Sequence, residues 1–178
     1  MGLLVNALSN ALNITGAVFL AGCIATQPSD AKTVLDHATG SKTGIGEIDI
    51  INGSNLSSLN WLGEVFSKDS TIANFSVVGD VIAENSIIDD FTVVGDTNAR
   101  NVDFVNMSAI GELLTQHVVV AEDVHLTSVR STLTNTEIWG KLYVHNKNGT
   151  HVRITLNQTT VRGGIVCDVE PCPIIINK

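Results

Sequence analysis

Cys167 and Cys172, separated by Asp-Val-Glu-Pro, stand close enough to form a disulfide or to offer two thiolates to a metal ion. His117 and His125 fall in one stretch, and His145 and His151 flank Asn148-Gly149, a dipeptide that favours a tight hairpin turn. If that turn forms, the second pair can approach and hold a metal weakly; solvent-facing strand histidines are the other reading. Glu64, Asp80, Asp96 and Glu112 recur at a fixed interval, so a fold that stacks them makes a row of carboxylates. Such a row either faces water or binds a cation, calcium being the hard, oxygen-seeking ion that suits it. Asp89, Asp90 and Asp103 add acids nearby but no recognisable acid/base pair. No Ser/His/Asp arrangement, phosphate-cradling glycine loop or dense histidine cluster is legible, so we assign no catalytic residue, no metal ligand set and no cofactor.

The element that must position these residues is a repeat. Leu59-Asn-Trp-Leu-Gly-Glu64, Phe75-Ser-Val-Val-Gly-Asp80, Phe91-Thr-Val-Val-Gly-Asp96 and Met107-Ser-Ala-Ile-Gly-Glu112 begin 16 residues apart without insertion. Internal repetition of this kind marks a solenoid, in which a single coil has no core and stacked coils bury continuous columns. Scarce aromatics beside abundant Val, Ile, Gly and Asn favour strands and tight turns. The expected fold is therefore all-β: a single-domain parallel β-helix with triangular coils of about 16 residues.

Three apolar columns can be drawn at this spacing. Leu62, Val78, Val94, Ile110, Leu126 and Leu142 make the first; Leu56, Ile72, Ile88, Phe104 and Val120 make the second. Phe66, Ile82 and Leu114 make a third, interrupted by Asn98 and ending at Arg130. All three are expected to point inward, which makes Val94→Asp severely disruptive and Thr97→Asp, outside every column, harmless. Gly63, Gly79, Gly95 and Gly111 follow the first column and predict a corner with positive φ or no room for Cβ. The aligned rows Ser76, Thr92, Ser108 and Asn74, Asp90, Asn106 read as hydrogen-bonding ladders at strand edges or turns.

The chain begins without a charged side chain until Asp30, and Ala17-Val-Phe-Leu-Ala-Gly-Cys23 is apolar and ends in small residues. This resembles a bacterial lipoprotein signal, with Leu20-Ala21-Gly22-Cys23 as the lipobox. The resemblance implies that Cys23 becomes the lipidated first residue, and Ile24 after it implies the outer membrane. No Lys or Arg precedes the apolar run, unlike a standard export signal. A retained amphipathic helix over Leu3, Leu4, Ala7, Leu8, Ala11 and Leu12, or a misplaced start, are the other readings. In an exported protein Cys167 and Cys172 are natural disulfide partners. The Asn-X-Ser/Thr triplets at Asn13, Asn52, Asn55, Asn74, Asn106, Asn148 and Asn157 then read as turn and ladder residues rather than glycan acceptors.

Ile72-Ala-Asn-Phe-Ser-Val, Ile82-Ala-Glu-Asn-Ser-Ile and Ile88-Asp-Asp-Phe-Thr-Val resemble the hexapeptide repeat of left-handed β-helix acyltransferases. That family implies trimers with active sites between subunits and a histidine base, a role no particular histidine here takes. The short coils and the Val/Ile/Gly alternation from Ile48 to Val144 are also similar to bactofilins, polymer-forming proteins with right-handed β-helices. Handedness stays open, with the right-handed form favoured.

The resulting division is a signal over 1–22, a linker over 23–47, the β-helix over 48–144, and a terminal coil or hairpin cap with the disulfide over 145–178. The net charge of −8 argues against a nucleic-acid partner, which demands clustered Lys and Arg. Between 23 and 129 there are 15 acids against Lys32, Lys42, Lys68 and Arg100, and from 130 onward bases outnumber acids. An acidic body with a mildly basic end is expected. The functional expectation is a non-enzymatic, envelope-anchored structural or interaction module, held to the membrane by lipid and facing the periplasm or cell surface. Its partners would be other envelope proteins or further copies of itself. The rival expectation is a β-helix enzyme, either an acyltransferase or a glycan-active one.

Overall fold

The computed structural model describes residues 32–127, 130–145, 152–168 and 170–177. Every strand pairing among them is parallel, and no helix occurs. The chain is a β-solenoid of about eight turns with three faces.

Face A carries Phe75–Val78, Phe91–Val94, Met107–Ile110, Val124–Thr127, Leu142–His145 and Ile165–Cys167, preceded by the ends of Thr39–Ile45 and Asn55–Leu62. Face B runs from Thr33–Asp36 through Ile48–Ile51, Val65–Lys68, Val81–Glu84 and Thr97–Arg100. It continues through the first parts of Leu113–Val120 and Arg130–Ile138 to Arg153–Asn157 and Ile174–Asn177. Face C is short, built from two-residue strands such as Thr71–Ile72, Ile87–Ile88 and Asp103–Phe104. At about 4.8 Å per rung, eight rungs stand roughly 38 Å high.

The solenoid exceeds the expected bounds at both ends. Part of the expected linker is strand, because Thr33–Asp36 and Thr39–Ile45 pair with the coils above them. At the other end Leu142–His145 and Arg153–Asn157 do not pair as a hairpin. Each lies parallel on an earlier coil. Asn148, Gly149, His151 and Cys23 lie outside the described residues.

The middle coils step by 16, and the later ones lengthen. Met107 pairs with Val124, then Val124 with Leu142, then Leu142 with Ile165. The ladders stay in register within these strands.

Each corner has its own backbone solution. Between faces A and B, Gly63, Gly79, Gly95 and Gly111 hold φ from 135 to 147°, and an added Cβ would strike the corner carbonyl of the coil before. The corner from B to C uses the left-handed region at Asp69, Asn85, Asn101, His117 and Asn135. Asn and Asp tolerate that region because their side chains bond locally. Here they bond one another along the stack: Asn85 donates to Asp69 at 3.1 Å and Asn101 to Asn85 at 3.1 Å. The turn row foreseen at Asn74, Asp90 and Asn106 behaves alike, with Asn106 donating to Asp90 at 2.7 Å.

The core corrects two of the three columns. Leu56, Ile72, Ile88, Phe104 and Val120 are buried as expected. The first column points outward over most of its length: Leu62 is 48% exposed and Val94 38%, while Leu126 and Leu142 are buried. The inward residues of face A are Leu59 and Trp61, Phe75 and Val77, Phe91 and Val93, Met107 and Ala109. The third column is likewise one residue off. Ile82 and Leu114 are exposed and Phe66 half-buried, and Val65, Val81, Ala83, Ala99 and Leu113 fill the interior. Thr97, expected to be tolerant, is only 2% exposed. Phe75 stacks on Phe91 at 5.0 Å and Phe91 meets Phe104 edge-on at 4.9 Å, tying faces A and C together through the interior.

Candidate functional site

The acidic corner row is assembled as the repeat predicts, and its first use is structural. The backbone N–H of Asp96 donates to Asp80 Oδ1 at 3.1 Å, and that of Glu112 to Asp96 Oδ1 at 2.9 Å. At the corner from face C to face A, Asp123 likewise accepts from the N–H of Lys141 at 2.7 Å. Each aspartate thus caps an N–H that the corner leaves unpaired, a charge-assisted bond of the stronger kind. Among the described residues no three His, Cys, Asp or Glu side chains come together as a metal site. Glu64, Asp80, Asp96 and Glu112 form a stacked acidic edge along the corner.

That edge is flanked by apolar side chains on both sides. Ile45, Leu62, Val78, Val94 and Ile110 stack in register on the outer side of face A. Across the corner Phe66, Ile82 and Leu114 project outward from face B, with Asn98 between the last two. Single exposed aliphatics are ordinary, but rows running along the stack are a contiguous patch.

Cys167 and Cys172 are bonded, with Cα atoms 5.6 Å apart. Cys167 ends the last rung of face A and Cys172 precedes the last strand of face B, Ile174–Asn177. The bridge closes the A-to-B corner where no further Gly-acid turn follows.

His117 and His125 are not brought together, and the pairing of His145 with His151 lies outside the described residues. His117 sits at a B-to-C corner beside Asn135, with 3.3 Å between His117 Nε2 and Asn135 Nδ2. His125 and His145 project from neighbouring rungs of face A, and His125 Nδ1 lies 3.3 Å from His145 Nε2. Tyr143, the rung partner of His125, stacks on it at 4.5 Å. Asp168 Oδ2 lies 3.4 Å from the other nitrogen of His145, Nδ1. Sequence spacing gave no hint of this group, because its members are 20 and 23 residues apart in the lengthened coils rather than 16.

Burial beneath its neighbours, and then the nearby His145, hold His125 below its ordinary value of 6.5, with Asp123 opposing. Well above pH 6.5 folded and unfolded chains both keep His125 neutral, and this residue contributes no pH dependence there. Below it the unfolded chain takes up a proton that the folded chain resists. Stability is therefore expected to fall from pH 6.5 down to the lowered folded value and then to level off. Thermal melts of the parent and of His125→Gln between about pH 7.5 and 5.5 check this. The variant should show a shallower fall, and identical slopes would remove His125 as the cause.

At the basic end Arg130 and Arg153 are rung partners on face B, and Arg162 lies 4.3 Å over the ring of Trp139 while pairing with Glu137. One concavity is lined by Arg130, Arg153, Cys172 and Pro173, and another by Lys32, Asp49, Glu64, Phe66 and Ile82. Neither includes His125 or His145. Comparison with protein-family models, curated proteins and solved structures found no match for the chain.

Proposed function

We propose that the chain is a non-enzymatic structural module of the cell envelope, tethered through Cys23, that docks side-on against a cationic protein surface. The observation that carries this reading is the acidic corner row between an outward aliphatic row on face A and outward apolar residues on face B. A rigid parallel stack holds those side chains at fixed intervals, so the backbone of this chain needs little ordering when the complex forms. Charge complementarity selects the occupant. A second copy laid face to face would set one acidic row against another, whereas a basic surface with matching apolar side chains covers both parts of the edge.

The test is cross-linking in native membranes of the parent and of a Leu62→Glu, Val94→Glu double variant. The parent should yield a partner with a basic surface, released by raised salt, and the variant should lose it while melting like the parent. Undiminished recovery in the variant, or capture of this chain alone, overturns the docking face. The same material reports the tether: an intact Met1 without acyl mass removes Cys23 from the proposal.

Among the described residues, His125, His145 and Asp168 are a group that would favour the enzyme alternative. They stand on the outer side of face A and line neither concavity just described.

A further inference from the structure

We infer that His125 and His145 form a binding site for a single transition-metal ion of the zinc class on the outer side of face A. The argument begins with distance. Two imidazole nitrogens bound to one tetrahedral zinc ion at about 2.0–2.1 Å stand roughly 3.3–3.4 Å apart. His125 Nδ1 and His145 Nε2 stand 3.3 Å apart, with the two rings within 4° of parallel. The ladder fixes the backbone from which both side chains hang, at diagonal positions on adjacent rungs of one parallel sheet.

The second argument is orientation. Metal-bound histidines characteristically donate their other N–H to a carboxylate, which sets the tautomer and strengthens the ligating nitrogen. Asp168 Oδ2 stands beside His145 Nδ1 at 3.4 Å and favours the proton there, leaving the Nε2 lone pair for the ion. In the metal-free chain the gap between the nitrogens is spanned by a hydrogen bond. On binding, His125 carries its proton on Nε2 instead of Nδ1, so both facing nitrogens become ligands without a net change of charge on the rings. The stacked Tyr143 ring limits rotation of His125 and preserves the approach. Burial and the neighbouring histidine keep His125 neutral, the form that ligates. Two imidazoles suit zinc, cobalt, nickel or copper rather than calcium or magnesium, and water completes the coordination.

The test uses the untagged full chain, freed of metal, titrated with Zn2+ by calorimetry near neutral pH and with Co2+ by visible absorption as a reporter of tetrahedral geometry. One ion per chain is expected, lost in His125→Ala and in His145→Ala and retained in His117→Ala. Asp168→Asn should weaken binding by about 10–100-fold. Far-UV circular dichroism of each variant must match the parent, and His125→Gln and His145→Gln replace any alanine variant that does not fold. Absence of saturable binding overturns the site, as does affinity in either histidine variant within about twofold of the parent. Undiminished affinity in Asp168→Asn overturns the orienting role of that carboxylate.

Discussion

Val93→Asp is expected to abolish folding, while Val94→Asp, one residue on, leaves the melting temperature close to that of the parent. Val93 is 1% exposed among Val77, Ala109 and the rest of the core, and Val94 is 38% exposed on the outer side of the same strand. A carboxylate at 93 would be buried without a partner or would have to stay protonated. Losses of this kind exceed about 4 kcal/mol. Total stability of a domain is only about 5–15 kcal/mol. Thr97→Asp belongs with Val93→Asp, because its side chain is also inside. Thermal melts of the three variants decide the register: a parent-like melt for Val93→Asp, or a collapsed one for Val94→Asp, would mean that the inward and outward sets are exchanged.

Gly95→Ala is the second large effect. At φ 147° a side chain is already unfavourable, which costs about 1–3 kcal/mol. The new Cβ would also run into the carbonyl of Gly79 in the coil before, a backbone group that cannot swing aside. Gly40→Ala separates the two causes, since φ there is 83° but nothing lies within 4 Å of the added carbon. For a chain of this size each kcal/mol moves the midpoint by about 2–4 °C. Gly95→Ala should therefore lower the midpoint by roughly 10 °C and Gly40→Ala by clearly less. Equal shifts would show that conformation alone, and not the close stacking of corners, sets the requirement for glycine.

The repeat, its 16-residue step and the parallel fold were legible because four glycine-acid corners recur without insertion. One core column was legible too: Ile72 stands between polar or small neighbours, so only one register fits. The other two were misassigned where strands carry adjacent apolar residues, as in Val77-Val78, Val93-Val94, Val81-Ile82 and Leu113-Leu114. Periodicity cannot choose within such a pair. The deciding signal was two residues away. Phe75 and Phe91 alternate with Val77 and Val93, and Ala83 alternates with Val81, so the earlier member of each pair faces in. The default of polar outer faces failed here because this protein keeps an aliphatic outer row. Asn148-Gly149 signalled a hairpin by local propensity, yet the flanking strands follow the rungs beneath them. The histidine pair was hidden for a related reason: its members meet only after the coils lengthen, so no fixed spacing links them.

Parallel stacking also decides how the molecule would respond to being pulled. Neighbouring rungs are joined by bonds that run along the stack, and each coil is held chiefly by the coils before and after it. Tension along the axis loads one boundary between coils at a time and peels the chain from an end. A 16-residue coil released in this way lengthens from about 4.8 Å of height to roughly 55 Å of extended chain. The disulfide spares only the short segment it closes, between Cys167 and Cys172. A compact rod of this design therefore holds a reserve of length many times its own height, paid out in nearly equal steps through its middle coils.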